Sequence, residues 1–457
     1  MAQTVPGLAL VLLFVCFILG LDVGHRIGLQ APVSVYIWFM NVNLALFLFI
    51  FFAQLDKNDF IFTAMPLPPF NSVLLPTILI YSLLIFAGWL SSLGLRKRRL
   101  PTSTVLSRRT QRSFAGTWNI PNFVLWAIFL LVFSMEAFHF WEIDKSILWH
   151  NQTYLTIKDP IAVGIHTVVG RMIHFLLLPL GLLLVGAGTF SWMRHRKLTA
   201  AVFLLLSIYP FIIALAENSR WAPFYILASL VVLALFGDIR RNLLSAIASG
   251  AVAFLVFLKV LIGRNTPYQG LDGTLDIFHI IFSNVQVQMW VVGLLVNVFQ
   301  GAQSVANALL IRPHYPEVYK LLSFSPTISA IDHFDKILDL YAVRITPAVP
   351  MNTYSEAYFF GPGYFLFLLI ILITWLRTMT KISFRKDMLG TVLAAFSYWI
   401  ILFISQYPVR NSMRLIYVSL LIGILGNIAL SAKSKTQTGQ ATKAINDWKE
   451  RPQWNQH

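Results

Sequence analysis

The sequence predicts an all-α polytopic membrane protein of about 11–12 transmembrane helices, and three observations carry that prediction. First, 57% of the 457 residues are hydrophobic and only 12% are charged, whereas soluble globular domains carry about 25% charged residues. Second, largely apolar runs of roughly 17 or more residues recur along the chain, each able to cross ~30 Å of hydrocarbon. A spanning run must satisfy its own backbone polar groups, so these runs are helices. Third, the net charge of +16 is unevenly spread: 21 of the 35 Lys and Arg lie in five short stretches, 96–112, 194–197, 240–241, 377–386 and 433–451. By contrast, 14 of the 19 Asp and Glu lie in or beside the opposite-side segments, from Asp56 to Glu356. The positive-inside rule puts the five basic stretches on the cytoplasmic side. Such loops orient the chain and touch anionic headgroups, so membrane lipids are expected partners and nucleic acid is not.

The spans read, in order, 5–21, 33–53, 72–95, 118–137, 161–187, 198–216, 222–237, 243–262, 361–376, 388–406 and 415–432. The first lacks a basic leader and a small-residue cleavage site, so it reads as a retained span. It holds Cys16, the one cysteine, which can form no internal disulfide. Outer loops then fall at 138–160, 217–221, 263–360 and 407–414. The run 278–311 is apolar enough to cross, yet the next basic stretch requires an even number of crossings between 263 and 360. It dips in and returns, forms a helical hairpin, or lies at the interface; a helix packed on the outer side and partly buried in protein is expected. Residues 329–341 place Ile331, Phe334, Ile337, Leu338 and Tyr341 at helical spacing behind a capping Ser329, which predicts an amphipathic surface helix. Residues 1–432 thus form a single transmembrane domain with a long outer segment at 263–360. The polar tail 433–457 reads as cytoplasmic and disordered.

The outer side should be poor in arginine, yet Arg171, Arg220, Arg264, Arg410 and Arg414 fall at or near span ends there. Charge in such places is costly, and it points to an anionic ligand, with a phosphate or diphosphate on a lipid carrier as first candidate. Arg220 closes the tight turn Glu217-Asn-Ser-Arg220. It either pairs with Glu217 or presents its guanidinium fork to phosphate. Arg410 and Arg414 are four residues apart, so a helix sets them on one face. They snorkel to headgroups or hold an anion between them. Arg171 and His174 lie about ten residues into span 161–187 on one face, facing the bundle interior or pairing with Glu136 or Glu217. Arg264 ends span 243–262 and suits either an anion site or a snorkelling end.

Glu356 is the one acid between Ala348 and Arg377, in Ser355-Glu-Ala-Tyr-Phe-Phe-Gly-Pro-Gly363. The Gly-Pro-Gly turn leads into a helix whose first amides suit an anion. Glu356 is a boundary glutamate, a hydroxyl-binding carboxylate or a general base. His279, His314 and His333 are further outer bases. Asp332, His333 and Asp335 read as a solvated helix face, so no metal is expected, and no cofactor motif is present. The 14% aromatic content suits interfacial belts and sugar stacking alike.

The many spans, the Asn-Ser-Arg turn, the long outer segment after the following pair of spans, and Ser-Glu-Ala-Tyr-Phe-Phe-Gly-Pro-Gly before a late span resemble bacterial Wzy-type polymerases, which join O-antigen or capsular oligosaccharide repeat units. The resemblance covers most of the chain as architecture and rests on few specific residues. It implies a GT-C-like helical fold in the bacterial inner membrane, with the 263–360 segment periplasmic and the C-terminus cytoplasmic. It implies a substrate, undecaprenyl-diphosphate-linked oligosaccharide, a chain-length regulator protein as a further partner, and no cofactor. Carried over by position, Arg220, Arg264, Arg410 and Arg414 hold diphosphates, with Arg171 as a deeper addition. Glu356 is then the first base candidate and His333 the second. The chemistry fits: with a diphosphate leaving group, the enzyme mainly aligns two substrates and stabilises charge.

Asp56 and Asp59 in the first outer loop are no clean match to the acidic pair of lipid-phosphate-sugar transferases. An O-antigen-ligase-like transferase and a lipid-linked-sugar flippase are the rival readings. The flippase would call for inverted repeats and broken helices, and neither is visible in the sequence.

Overall fold

The computed structural model describes residues 4–53, 70–95, 122–149, 161, 163–219, 221–236, 243–265, 270–283, 298–327, 334, 337–338, 343–345, 350–384 and 388–426. Among them the chain is an all-α polytopic membrane protein, with no strand. Among the described residues nine helices are long and apolar enough to cross a membrane.

The described helices are α1 (Thr4–Ile27), α2 (Pro32–Phe52), α3 (Phe70–Ser92), α4 (Asn122–Glu142), α5 (Lys145–Trp149), α6 (Val168–Met193), α7 (Lys197–Leu206), α8 (Ile208–Ala216), α9 (Trp221–Phe236) and α10 (Leu243–Asn265). There follow α11 (Gly273–Ser283), α12 (Gly301–Ile311), α13 (Glu317–Ser323), α14 (Thr353–Phe360), α15 (Pro362–Ser383), α16 (Met388–Ile404) and α17 (Val409–Gly426). Helices α1, α2 and α3 pack on one another, and α2 and α3 also pack on α15. Helices α6, α7, α9 and α10 form a second group, and α16 touches both α2 and α6. The core where the groups meet holds Tyr36, Phe47, Tyr81, Trp375, Phe396 and Trp399, all buried. The outer surface keeps Phe14, Phe123, Trp141, Phe175 and Leu244 exposed. That is what a lipid-facing shell requires, since lipid exerts no hydrophobic penalty on such side chains.

Several spans differ from the sequence expectation. The last, expected at 415–432, runs Val409–Gly426 and so takes in Arg410 and Arg414. The span expected at 161–187 begins later, at Val168, because Thr167 caps it by accepting from the Gly170 amide at 2.9 Å. The span at 198–216 is interrupted at Ser207 between α7 and α8. Pro210 has no N–H to donate to Leu206, so the ladder cannot run through, and Ser207 Oγ donates to the Leu204 carbonyl at 2.7 Å.

Polar contacts sort the helix ends into two sets. At one end Asp22 pairs with Arg26 at 2.7 Å and accepts from Trp89 at 2.9 Å. Arg377 donates to the Leu93 carbonyl at 2.8 Å, and the Val33 amide donates to Thr380 at 3.2 Å. This end carries Arg377 and Lys381, next to basic stretches. The opposite end gathers residues 315–327, 352–361 and 406–414.

The run 278–311 departs from the expected surface position where it is described. Residues 301–308 of α12 are all buried. The Gly301 amide donates to Asn43 Oδ1 at 2.9 Å, midway along α2, and a Cβ at Gly301 would stand 2.5 Å from the Tyr81 hydroxyl, midway along α3. Helix α12 is therefore wedged between spans, where protein rather than lipid meets its polar Gln303, Ser304 and Asn307.

Candidate functional site

Glu356 lies in the first turn of α14, where Asn352 caps the helix by accepting from the Ser355 amide at 2.8 Å. Asn352 also donates to the Gly301 carbonyl at 2.9 Å, so the cap is tied to α12. Glu356 is 1% exposed. Its Oε1 accepts from the Tyr319 hydroxyl at 2.8 Å and its Oε2 from the Val409 amide at 2.5 Å. Burial pushes its carboxyl up to about 7, against the Val409 and Tyr319 donors, which favour the ionised form. The Tyr315 ring stacks on Tyr319 at 5.3 Å, and the buried Tyr315 hydroxyl has no hydrogen-bond partner among the described residues. Glu356 thus clamps three segments, 315–319, 352–356 and 407–409, in a dry environment.

Arg410 follows directly. It is 3% exposed, donates to the Leu322 carbonyl and, at 3.0 Å, to the Thr327 carbonyl, and lies 4.0 Å over the Phe334 ring. Arg414, half-exposed, donates to the same Thr327 carbonyl at 2.7 Å, and Tyr417 donates to the Phe324 carbonyl at 2.8 Å. The helical spacing of Arg410 and Arg414 does put them on one face. Carbonyls just past the C-terminus of α13 meet them there, a favourable place for cations.

The remaining sequence candidates are distributed differently. Arg171 is not deep in its span. Because α6 starts at Val168, Arg171 lies in its first turn, partly exposed, with its Nε 3.4 Å from the Thr167 carbonyl. Arg220 and His333 lie outside the described residues. Arg264 is in the last turn of α10, and its side chain is outside what is described. His279 and His314 are exposed on α11 and before α13. Of 329–341, Phe334 is buried and Ile337 and Leu338 pack on the core; Ser329, Asp332 and Asp335 lie outside the described residues. Among the described residues no group of three His, Cys, Asp or Glu is arranged to hold a metal ion.

Trp221, Phe224, Trp399, Phe403, Gln406 and Tyr407 form an aromatic cluster around a small pocket with space for about one water molecule. Trp221 stacks on Trp399 at 3.7 Å and Phe403 on Tyr407 at 3.9 Å. Gln406 donates to the Val298 carbonyl at 3.0 Å.

A second polar cluster lies within the spans on the other side of Trp221. His139 Nδ1 is 2.7 Å from the Tyr209 hydroxyl, and its Nε2 is 3.0 Å from His174 Nδ1. His174 Nε2 stands 3.6 Å from Glu217 Oε1. Lys259, fully buried, donates to Asn218 Oδ1 and to the Leu215 carbonyl, each at 2.6 Å. Sequence reasoning singled out His174 and Glu217 but missed His139, Tyr209 and Lys259. The signal was present, for a lone ammonium within an apolar span faces protein or a cavity rather than lipid.

Comparison with known protein families, with characterised proteins and with solved structures found no match.

Proposed function

We propose that this protein is a metal-independent membrane glycosyltransferase that polymerises undecaprenyl-diphosphate-linked oligosaccharide repeat units. In this reading it resides in the bacterial inner membrane, with the basic loops cytoplasmic and the end that carries Glu356 periplasmic. The observation that supports it best is the aromatic cluster of Trp221, Phe224, Trp399, Phe403 and Tyr407, which is close in sequence to Arg220 and Arg410. Trp221 adjoins Arg220 in sequence, and Gln406 and Tyr407 lead into Arg410. Sugar rings present apolar C–H faces that pack on aromatic faces, and guanidinium forks match diphosphate oxygens. Aromatic faces and arginines brought close together along the chain suit a glycan on a lipid diphosphate.

Arg220, Arg264 and Arg414 are the foremost diphosphate ligands in this reading, and Arg410 supports the site by holding 322–327 in place. Glu356 fixes the clamp beneath it. The test is deletion in the native bacterium, read on lipopolysaccharide or capsule gels. The expected result is single repeat units on the lipid core or accumulated on carrier. An unchanged ladder overturns the reading.

A further inference from the structure

The chain Tyr209–His139–His174–Glu217 is not used by the site around Glu356. It draws on three elements that are far apart in sequence: α4 supplies His139, α6 supplies His174, and α8 supplies Tyr209 with Glu217 at its end. His139, His174 and Glu217 are 0%, 5% and 4% exposed. Polar side chains gathered from three spans in lipid are expensive unless they handle ions or protons. Two proton orders satisfy the chain with every donor pointing the same way, and with Glu217 ionised it is the following one. The Tyr209 hydroxyl donates to His139 Nδ1, His139 Nε2 donates to His174 Nδ1, and His174 Nε2 points at Glu217. That order leaves the carboxylate at the end as the acceptor. A metal ion does not fit between the rings, since the facing nitrogens are 3.0 Å apart.

Two neighbours complete the setting. Lys259 donates to the Leu215 carbonyl and to Asn218 Oδ1, on either side of Glu217 in sequence, and so ties α10 to the turn that carries it. Gly263 lets this happen, because a Cβ there would stand 2.6 Å from Asn218 Oδ1. Glu136, 8% exposed, has an oxygen with no hydrogen-bond partner among the described residues.

We infer that Glu217 is a proton-accepting carboxylate held by the Tyr209–His139–His174 chain, and that it receives the proton of the acceptor sugar hydroxyl. The second half of this inference rests on the polymerase reading. Glu217 stands four residues before Trp221 of the aromatic cluster. In the step, the acceptor oxygen forms a bond to the anomeric carbon as that carbon's bond to the diphosphate oxygen breaks. The diphosphate leaves with the electron pair of the broken bond, and the hydroxyl proton goes to Glu217. His174, His139, Tyr209 and Lys259 are positioning residues, since they act through Glu217. The charged and titratable groups facing Glu217 are Glu136 and His139 from α4, His174 from α6, Tyr209 from α8, Tyr225 from α9 and Lys259 from α10.

The experiment uses the full chain in nanodiscs. Infrared difference spectra across pH are recorded for wild type, Glu217→Gln, Glu217→Asp and His174→Gln, alongside extension of purified lipid-linked repeat units. A carboxyl band that titrates in wild type, vanishes in Glu217→Gln and shifts in His174→Gln is expected. So is extension at least ~100-fold slower in Glu217→Gln, with donor binding unchanged and partial recovery in Glu217→Asp. His174→Gln should displace the acid limb of the pH–rate profile. No titrating band, or wild-type extension by Glu217→Gln, overturns the inference. A Glu217 band in a wild-type protein that extends no lipid-linked unit overturns the assignment to the acceptor hydroxyl and the polymerase reading together, while the proton site stands.

Discussion

Glu356 and Arg410 are neighbours in space with different jobs. The carboxyl of Glu356 titrates at about 7 rather than near 4.5 because it is buried. The folded state therefore keeps a proton that the unfolded chain gives up between those two values. Its contribution to stability is fully present below the ordinary carboxylate value and falls as pH rises to about 7, by on the order of 3 kcal/mol. Melting in detergent from pH 5 to pH 8 should show this decline in wild type, and Glu356→Gln should flatten it; a Gln variant with the same slope would locate the titration elsewhere. Arg410 holds two carbonyls and covers Phe334. Arg410→Ala should lose about 2–4 kcal/mol through orphaned carbonyls and an emptied contact. Arg410→Lys keeps the charge but not the fork, and should melt between the two. Under the proposed function, loss of polymer in Arg410→Ala must be read against the amount of folded protein, and so must that in Arg414→Ala, since Arg414 holds the same Thr327 carbonyl.

Helix α14 meets α15 through Gly361, whose φ of 118° and ψ of 166° fall where only glycine is at ease. The neighbouring space is open, so any penalty there is backbone strain rather than a clash. Gly361→Ala should lower stability by about 1–3 kcal/mol, measured as a lower melting temperature, and no smaller neighbouring side chain should relieve it. Rescue by trimming Tyr358 or Phe365 would show the cause to be steric. The spacing of Gly361, Pro362 and Gly363 made this junction readable from sequence, since Pro suits the first turn and glycine the position before it. The break at Ser207 was also within reach, for Pro210 forbids a continuous ladder. The late start of α6 was not, because hydropathy does not distinguish a short apolar approach from a helical turn, and only the Thr167 cap draws the line.

At the scale of the whole molecule, the contacts place His195 and His314 at opposite ends of the bundle, and both are exposed. In a Cys16→Ser background, His195→Cys and His314→Cys should react with a membrane-impermeant thiol reagent from opposite sides. In intact spheroplasts His314→Cys should label and His195→Cys should not. Labelling of both from one side would overturn the topology.

Sequence alone determined that this is a many-span helical membrane protein, because apolar length and backbone satisfaction leave a spanning chain few choices. It also separated a basic end from an arginine-dotted opposite end, and pointed at Glu356 and Arg410. Tertiary structure decided what those side chains touch. Glu356 meets Tyr319 across 37 residues, Arg410 meets Thr327 across 83, and His139 meets His174 across 35. Partners that distant are set by how helices pack against one another, and no local pattern records that packing. The burial of α12 among the spans and the Tyr209–His139–His174–Glu217 chain belong to the same class of fact.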